Sequence, residues 1–180
     1  MDNTVKEYQD RFDKRSCEME NLFVSLYGRN EEAWTAFSQM LFSCWKERPD
    51  DLRRLDRTRL DTPGWYSDTD MLEMLMYADA FAGTLSGVRE KLDYIAECGV
   101  NYLHLMPILD TPEGRSDGGY AVSDFSKVRP DLGGMDDLNG LASECHKRGI
   151  AVCLDFVMNH TSEEHEWAKL AKAGDSKAQG

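Results

Sequence analysis

Residues 86–107 read SGVREKLDYIAECGVNYLHLMP and contain the change of pattern that decides the fold. In the first half, four apolar residues recur at helical spacing: Val88, Leu92, Ile95 and Ala96. This spacing predicts an amphipathic helix over 86–97, with Gly99 just beyond its end. The second half, residues 100–106, is a short apolar run closed by Pro107, a pattern typical of a buried strand.

The same order of patterns recurs further along the chain. Residues 136–148 have the spacing of a second amphipathic helix, Gly149 follows it, and residues 150–157 form another apolar run. Strand, long loop, helix and strand in this order predict a β-α-β unit and therefore a parallel sheet. Upstream, residues 71–81 are rich in Met and Leu, and residue propensity alone favours a helix there.

The first 62 residues have the pattern of a small all-helical module. Apolar residues follow one helical stripe over 8–26 and a second over 34–45, and a short charged helix around Leu52 comes next. Residues 62–65, Thr-Pro-Gly-Trp, form a turn signal, so we expect a boundary between two parts of the chain there.

Composition excludes several classes of protein. The chain has 180 residues, 41% of them apolar, and a formal net charge of −12. The apolar content is typical of a folded core, and the acidic balance argues against a nucleic-acid partner. Five scattered cysteines without a C-x-x-C pair argue against a disulfide scaffold. The N-terminus has no basic-then-apolar leader, and no run approaches the roughly 20 apolar residues of a membrane span. We therefore expect a cytoplasmic protein that does not contact a membrane.

Polar residues gather where the predicted strands end. In a parallel α/β sheet, ligands bind at the carboxyl ends of the strands. The long loop after Met106 contains Asp117 and Tyr120, separated by a Gly-Gly pair that allows close approach of the backbone to a ligand. The later strand runs into residues 155–161, which include His160. A carboxylate, a phenol and an imidazole in one cleft provide the acceptors, donors and aromatic face that suit sugar hydroxyls.

At these residues the chain resembles a known family. Residues 155–160, Asp-Phe-Val-Met-Asn-His, resemble the D-x-x-x-N-H region of the α-amylase family of glycoside hydrolases, which lies at the end of the third barrel strand. The tracts NYLHLMP (101–107), SDGGY (116–120) and NHTSEEHEW (159–167) resemble more narrowly the amylosucrases and sucrose hydrolases. The helical head, with the tract starting at Trp45, is similar to the N-terminal helical domain of that subfamily.

This resemblance implies an α/β fold in three parts. An N-terminal all-helical domain takes up residues 1–65. The first three β/α units of an incomplete (β/α)8 TIM barrel follow over 66–160, and residues 161–180 begin the loop domain after strand 3. The resemblance also replaces the helix expected in the Met-rich segment with a strand near 72–79, since tertiary context often overrides propensity.

The resemblance also implies roles for individual residues. Asp117 would accept hydrogen bonds from the glucosyl unit, Tyr120 would stack on its ring, and His160 would bind one of its hydroxyls. Asp155 and Asn159 would hold the loop in shape behind them. No metal and no cofactor is implied.

The catalytic residues of the family are not among these positions. Retaining glycosidases use two carboxylates about 5–5.5 Å apart, as nucleophile and general acid/base. In the resembled family these follow the fourth and fifth strands, whereas this sequence ends after the third. We therefore expect an N-terminal fragment of an enzyme that moves a glucosyl unit from sucrose to water or to an α-glucan. The fragment itself should be inactive.

Each signal also has a plainer interpretation. An Asp before Gly-Gly commonly caps a turn, which is an alternative for Asp117, and ordinary packing is the alternative for Tyr120. His160 and His165 lie among glutamates, but an i, i+5 spacing does not place two metal ligands on one helix face. For the whole chain, the alternative to an enzyme is a non-catalytic α/β remnant that binds a sugar or a protein partner.

Overall fold

The computed structural model describes residues 3–116 and 118–179. These residues form two compact units, with the division between Trp65 and Tyr66. No helix in the described residues is both long and apolar enough to cross a membrane.

Within its described residues, the N-terminal unit consists of four helices: α1 (Asn3–Asp13), α2 (Ser16–Tyr27), α3 (Glu31–Glu47) and α4 (Asp50–Asp61). Trp45 of α3 is buried at 9% exposure, and its indole Nε1 donates a 3.0 Å hydrogen bond to the carbonyl oxygen of Thr4. This contact connects the third helix to the first. Asn30 begins α3 by accepting a hydrogen bond from the backbone N–H of Ala33, a typical N-cap.

The stripe over 8–26 is two helices rather than the single helix that its spacing predicts. The chain turns at Lys14 and Arg15, between α1 and α2. One helical turn beyond Phe12 the sequence has only polar residues, so no apolar contact carries the stripe across this point. Near the far end of the stripe, Leu26 is 74% exposed.

The described residues of the C-terminal unit form five strands and five α-helices. The strands are β1 (Glu73–Met76), β2 (Tyr102–Leu105), β3 (Leu109–Asp110), β4 (Asp124–Val128) and β5 (Ala151–Leu154). The helices are α5 (Ala78–Ala82), α6 (Leu85–Glu90), α7 (Leu92–Glu97), α8 (Met135–Lys147) and α9 (Glu166–Lys172). Strands β1, β2 and β5 form a parallel sheet in the order β1-β2-β5, which confirms the predicted β-α-β unit.

The core of this unit lies between the parallel sheet and helices α6, α7 and α8. Alternate residues of a strand face opposite sides of a sheet. In β2, Leu103 and Leu105 are fully buried, whereas His104 faces the other side. The helices supply the buried partners Leu85, Val88, Leu92, Ile95, Leu141 and Cys145. One sheet face is thus an apolar core, and the other carries polar side chains.

Three details of the sequence interpretation are corrected. The helix predicted over 86–97 is two short helices, α6 and α7, interrupted at Lys91. Ala96 is exposed and lies outside the core, although its spacing matched the buried face. The strand predicted near 72–79 is confirmed at Glu73–Met76, but residues 78 and 79 already belong to α5.

The antiparallel pair β3–β4 was not predicted. It lies in the long loop after β2 and pairs Leu109 with Val128, with an irregular register toward Asp110. Because β3 has only two residues, its apolar pattern is too short to be recognised in sequence. The five cysteines are free thiols; Cys145 is buried and Cys153 is partly buried.

Candidate functional site

Two loops meet at the carboxyl ends of β2 and β5. The hydroxyl of Tyr120 donates a 2.8 Å hydrogen bond to Oδ2 of Asp155. Nε2 of His160 lies 3.1 Å from the carbonyl oxygen of Tyr120. Further along, the buried Ser162 donates its backbone N–H to the carbonyl oxygen of Val122 at 2.8 Å. The loop that follows β2 is therefore connected to the loop that follows β5 by both side chains and backbone.

Two glycines set the position of Tyr120. Gly118 and Gly119 have φ angles of +62° and +87°, a region that side-chain-bearing residues rarely adopt. A Cβ on Gly119 would lie 2.9 Å from the carbonyl oxygen of Pro107, and one on Gly118 would lie 2.8 Å from the hydroxyl of Tyr77. The close approach expected from the Gly-Gly pair is thus made to the protein itself. It brings Tyr120 over the end of the sheet with 38% of its surface exposed.

Asp155 divides its two carboxylate oxygens between two partners. Oδ2 accepts from Tyr120, and Oδ1 lies 3.1 Å from Nε2 of His104. The hydrogen bond from Tyr120 lowers the pKa of Asp155, and the contact with His104 lowers it further despite partial burial. In return, the Asp155 carboxylate raises the pKa of Tyr120 to about 12, because an anion beside the phenol disfavours the phenolate.

His160 and Asn159 are both exposed, and they contact each other. The Nδ2 amide of Asn159 lies 3.1 Å from Nδ1 of His160. An amide NH₂ is only a donor, so Nδ1 accepts here, and the ring proton on Nε2 is donated to the carbonyl oxygen of Tyr120. Nε2 of His160 therefore connects the loop after β5 to the loop after β2, whereas Nδ1 contacts only the neighbouring Asn159.

Asp117, the predicted acceptor of sugar hydroxyls, lies outside the described residues. The structure does describe its neighbours: the hydroxyl of Ser116 accepts the backbone N–H of Ala121 at 3.0 Å, and a Cβ on Gly118 would lie 2.8 Å from the hydroxyl of Tyr77. The predicted role of Asp117 stays a prediction.

Two polar residues of the parallel strands complete the network, and the sequence analysis did not select them. Nδ1 of His104 lies 2.8 Å from Oε1 of Glu73 on β1, so the imidazole connects Glu73 with Asp155. Partial burial lowers the pKa of His104, but the hydrogen bonds to Asp155 and Glu73 outweigh it and raise the pKa above its usual value of 6.5. The signal in sequence is one polar residue in the middle of each apolar strand run, MLEMLM and NYLHLMP.

This arrangement lies at the strand ends of a parallel sheet, where α/β enzymes bind their ligands. The family model described as Alpha amylase, catalytic domain, matches residues 30–179, so the chain belongs to the α-amylase family. That match confirms the broad resemblance found in sequence and the catalytic-domain fold that comes with it.

Two individual members of the family show how much of the chain is similar to known enzymes. The chain is 44% identical to the trehalose synthase/amylase TreS of Mycolicibacterium smegmatis over 116 residues, which are 62% of this chain and 19% of TreS. The crystal structure of the trehalose-6-phosphate hydrolase TreA from Bacillus licheniformis superposes with a TM-score of 0.56 at 36% identity, covering 62% of this chain and 21% of TreA. The chain thus spans about a fifth of the length of these relatives.

A third similarity concerns sucrose. The structure of a MutB mutant in complex with its substrate sucrose matches with a TM-score of 0.55 and 31% identity, over 62% of this chain and 20% of MutB. These relatives are named for trehalose or sucrose chemistry, and none of the three is an amylosucrase. The narrower resemblance to amylosucrases therefore stays a prediction.

Proposed function

We propose that this chain forms part of the glucosyl-binding site of a retaining α-glucoside hydrolase or glucosyltransferase. The observation that carries the proposal is the meeting of Tyr120, Asp155 and His160 at the carboxyl end of the sheet in a chain of the α-amylase family. We call these three residues, with Asn159 and Asp117, the glucosyl site.

The chemistry of these side chains distinguishes residues that would contact the sugar from residues that would hold them in place. The Tyr120 hydroxyl is occupied by Asp155, so the group it presents to a ligand is the face of its ring. An aromatic face packs against the C–H face of a pyranose, and the neighbouring carboxylate and imidazole suit hydroxyl groups. In this proposal Tyr120, Asp117 and His160 contact the sugar. Asp155 and Asn159 act through the residues that they hold.

We propose binding without cleavage for this chain. None of the glucosyl-site residues is assigned as nucleophile or general acid/base, and retention requires both carboxylates about 5–5.5 Å apart. We further propose that residues 1–65 are a helical domain, that 66–160 are the first part of a (β/α)8 barrel, and that 161–180 begin a loop domain. The division between Trp65 and Tyr66 and the parallel order β1-β2-β5 support this.

Sucrose is the proposed glucosyl donor, and water or an α-glucan is the proposed acceptor. The tracts 101–107, 116–120 and 159–167 support sucrose through their likeness to sucrose-active enzymes, and so does the similarity to MutB. The similarity to trehalose-named enzymes makes trehalose the competing substrate. Both disaccharides present an α-linked glucosyl unit, which is the part that the glucosyl site would bind.

Saturation-transfer NMR of the 180-residue chain with sucrose, trehalose or maltose tests the proposal. We expect saturation on the glucosyl protons, strongest for sucrose, and its loss in Tyr120→Ala. Tyr94→Ala is the control, because Tyr94 is a 56% exposed tyrosine on α7, away from the glucosyl site. Equal saturation in both variants, or none in the wild type, would disprove the site. A stronger signal for trehalose would overturn the choice of sucrose. Glucose release above a protein-free blank would contradict binding without cleavage.

A further inference from the structure

The polar face of the parallel sheet carries a bridge between its two outer strands. His104 lies on the central strand β2, and its ring is 22% exposed. Nδ1 lies 2.8 Å from Oε1 of Glu73 on β1, and Nε2 lies 3.1 Å from Oδ1 of Asp155, the residue that follows β5. The two nitrogens of one imidazole thus contact carboxylates from opposite sides.

This geometry defines the protonation state of the ring. An ionised carboxylate only accepts hydrogen bonds, so a nitrogen that bonds to one must carry a proton. Both nitrogens of His104 face carboxylates, and both contacts are hydrogen bonds only when the ring is the doubly protonated imidazolium. A neutral ring keeps one of the two contacts and loses the other. The bridge is therefore complete below the pKa of His104 and broken above it.

The surroundings of the ring favour the cation. Glu73 comes from β1, and Asp155 comes from the end of β5. The other titratable residues that line the cavity beside the ring are Tyr66 and Asp68 from the segment before β1, Tyr102 on β2 and Cys153 on β5. Among these described residues only His104 can carry a positive charge, so acids and neutral groups surround it. These contacts raise its pKa although partial burial opposes them.

The bridge is connected to the glucosyl site through Asp155. The two oxygens of this carboxylate belong to one rigid plane, so rotation that releases Oδ1 from His104 also moves Oδ2 away from the hydroxyl of Tyr120. The imidazolium therefore restrains the carboxylate, and the carboxylate restrains the aromatic ring.

We propose that Glu73 and His104 are positioning residues of the glucosyl site, with the His104 imidazolium fixing Asp155 and through it the ring of Tyr120. The role of this ring in sugar binding rests on the proposed function above. The connection from His104 to Tyr120 is independent of it and can be measured without sugar.

NMR titration of the His104 imidazole and the Tyr120 ring protons in the wild-type chain tests this connection. We expect both sets of signals to move with one common midpoint above 6.5. In Glu73→Gln the common midpoint shifts downward, because a neutral amide no longer favours the cation. Glu90→Gln, which removes an exposed carboxylate on α6, is the control and should leave the midpoint unchanged. A His104 midpoint at or below 6.5, or Tyr120 signals that do not follow it, would overturn the proposal.

The wild-type titration decides the question even if Glu73→Gln fails to fold. In a second measurement, sucrose is added to the same samples. The saturation transferred to its glucosyl protons should decrease as the pH rises, with the same midpoint as the His104 and Tyr120 ring signals. If the rings titrate together but no sugar binds at any pH, the proposed function is wrong and the positioning connection stands. If sugar binds with no pH dependence across the midpoint, the connection does not position the binding ring.

Discussion

The hydroxyl of Tyr120 lies 2.8 Å from Oδ2 of Asp155, so a residue in the loop after β2 is held by the residue that follows β5. This contact fixes which part of the tyrosine is offered to a ligand, because the hydroxyl is used internally and the ring face is not. It also makes Tyr120 a reporter of the site, since the neighbouring Asp155 carboxylate is the main cause of its raised pKa.

The first prediction follows from this charge. Asp155→Asn should lower the pKa of Tyr120 from about 12 toward its usual value of 10, because an amide does not disfavour the phenolate. Tyrosinate absorbance measured against pH gives the shift, and the difference from Tyr120→Phe isolates this residue from the other tyrosines. Circular dichroism over the same range identifies unfolding. An unchanged absorbance curve in Asp155→Asn would mean that the contact does not exist in solution.

The second prediction concerns the backbone beneath Tyr120. Gly119→Ala should destabilise the protein, because the new Cβ combines a positive φ with a 2.9 Å approach to the carbonyl of Pro107. Gly114→Ala is the matched control in the same loop, with φ at +67° and no atom within 4 Å of its new Cβ. A positive φ alone costs on the order of 1–2 kcal/mol. Urea unfolding should therefore show a larger loss for Gly119→Ala, and equal losses would contradict the close packing.

The third prediction concerns the start of α8. Oδ2 of Asp137 accepts the backbone N–H of Gly134 at 3.0 Å, and Oδ1 accepts the hydroxyl of Ser86 at 2.7 Å. The neighbouring Asp136 is exposed in the same helical turn. Asp137→Ala should lower the urea midpoint more than Asp136→Ala, because both lose a charge near the helix N-terminus but only the first loses these hydrogen bonds.

The difference in stability between Asp137→Ala and Asp136→Ala should depend on pH in a defined direction. The hydrogen bond with Ser86 and that with Gly134 lower the pKa of Asp137 below its usual 3.8. Its contribution to stability is therefore fully present above pH 3.8 and is lost as the pH falls through the lowered value. The two variants should converge in strong acid. A difference that persists there would assign the stabilisation to something other than the carboxylate charge.

The fourth prediction concerns His104. Because its pKa is raised, its contribution to stability is fully present below 6.5 and is lost as the pH rises through the raised value. Unfolding free energy measured from pH 6 upward should decline in the wild type and in His146→Gln, whose imidazole is exposed on α8. The decline should be weaker in His104→Gln. If the unfolding free energy declines equally steeply with pH in all three proteins, the bridge from Glu73 through His104 to Asp155 contributes no pH-dependent stability.

The fifth prediction concerns self-association. In the described residues, β1 and β5 each pair with β2 only, so each has an unpaired edge. An unpaired strand edge can form hydrogen bonds with a strand of another molecule, and a lysine in the edge strand opposes this association. Leu75→Lys in β1 should reduce concentration-dependent light scattering of the chain. Leu60→Lys in α4 is the control, because Leu60 is 56% exposed and Leu75 is 57% exposed. Equal reduction by both would point to general hydrophobic association.

Sequence patterns identified the parallel sheet because β2 and β5 are apolar runs that each follow a helix and a glycine. The strand β1 could not be derived from propensity, since its Met and Leu residues favour a helix and the neighbouring β2 decides the outcome. The break at Lys91 has no equivalent in the apolar spacing, which continues regularly from Val88 to Ile95. These are effects of packing that a single chain segment does not encode.

The candidate site, too, could be predicted only in part from the sequence. Tyr120 and His160 were selected because they lie in the loops after predicted strands, and Asp155 was selected from its resemblance to the family motif. The structure brings the three residues together. His104 was not selected, because a histidine within an apolar strand has no local sign of its partners, which lie 31 and 51 residues away. Only the register of three parallel strands brings these groups into contact.

The backbone hydrogen bond between Ser162 and Val122 has a consequence for protein engineering. A backbone N–H and a backbone carbonyl are present in nearly every amino acid, so this one link between the two loops does not depend on which side chains residues 122 and 162 carry. Substitutions at other exposed positions of the two loops therefore leave this backbone link in place, whereas exchange of Tyr120 or His160 removes a side-chain link between the loops.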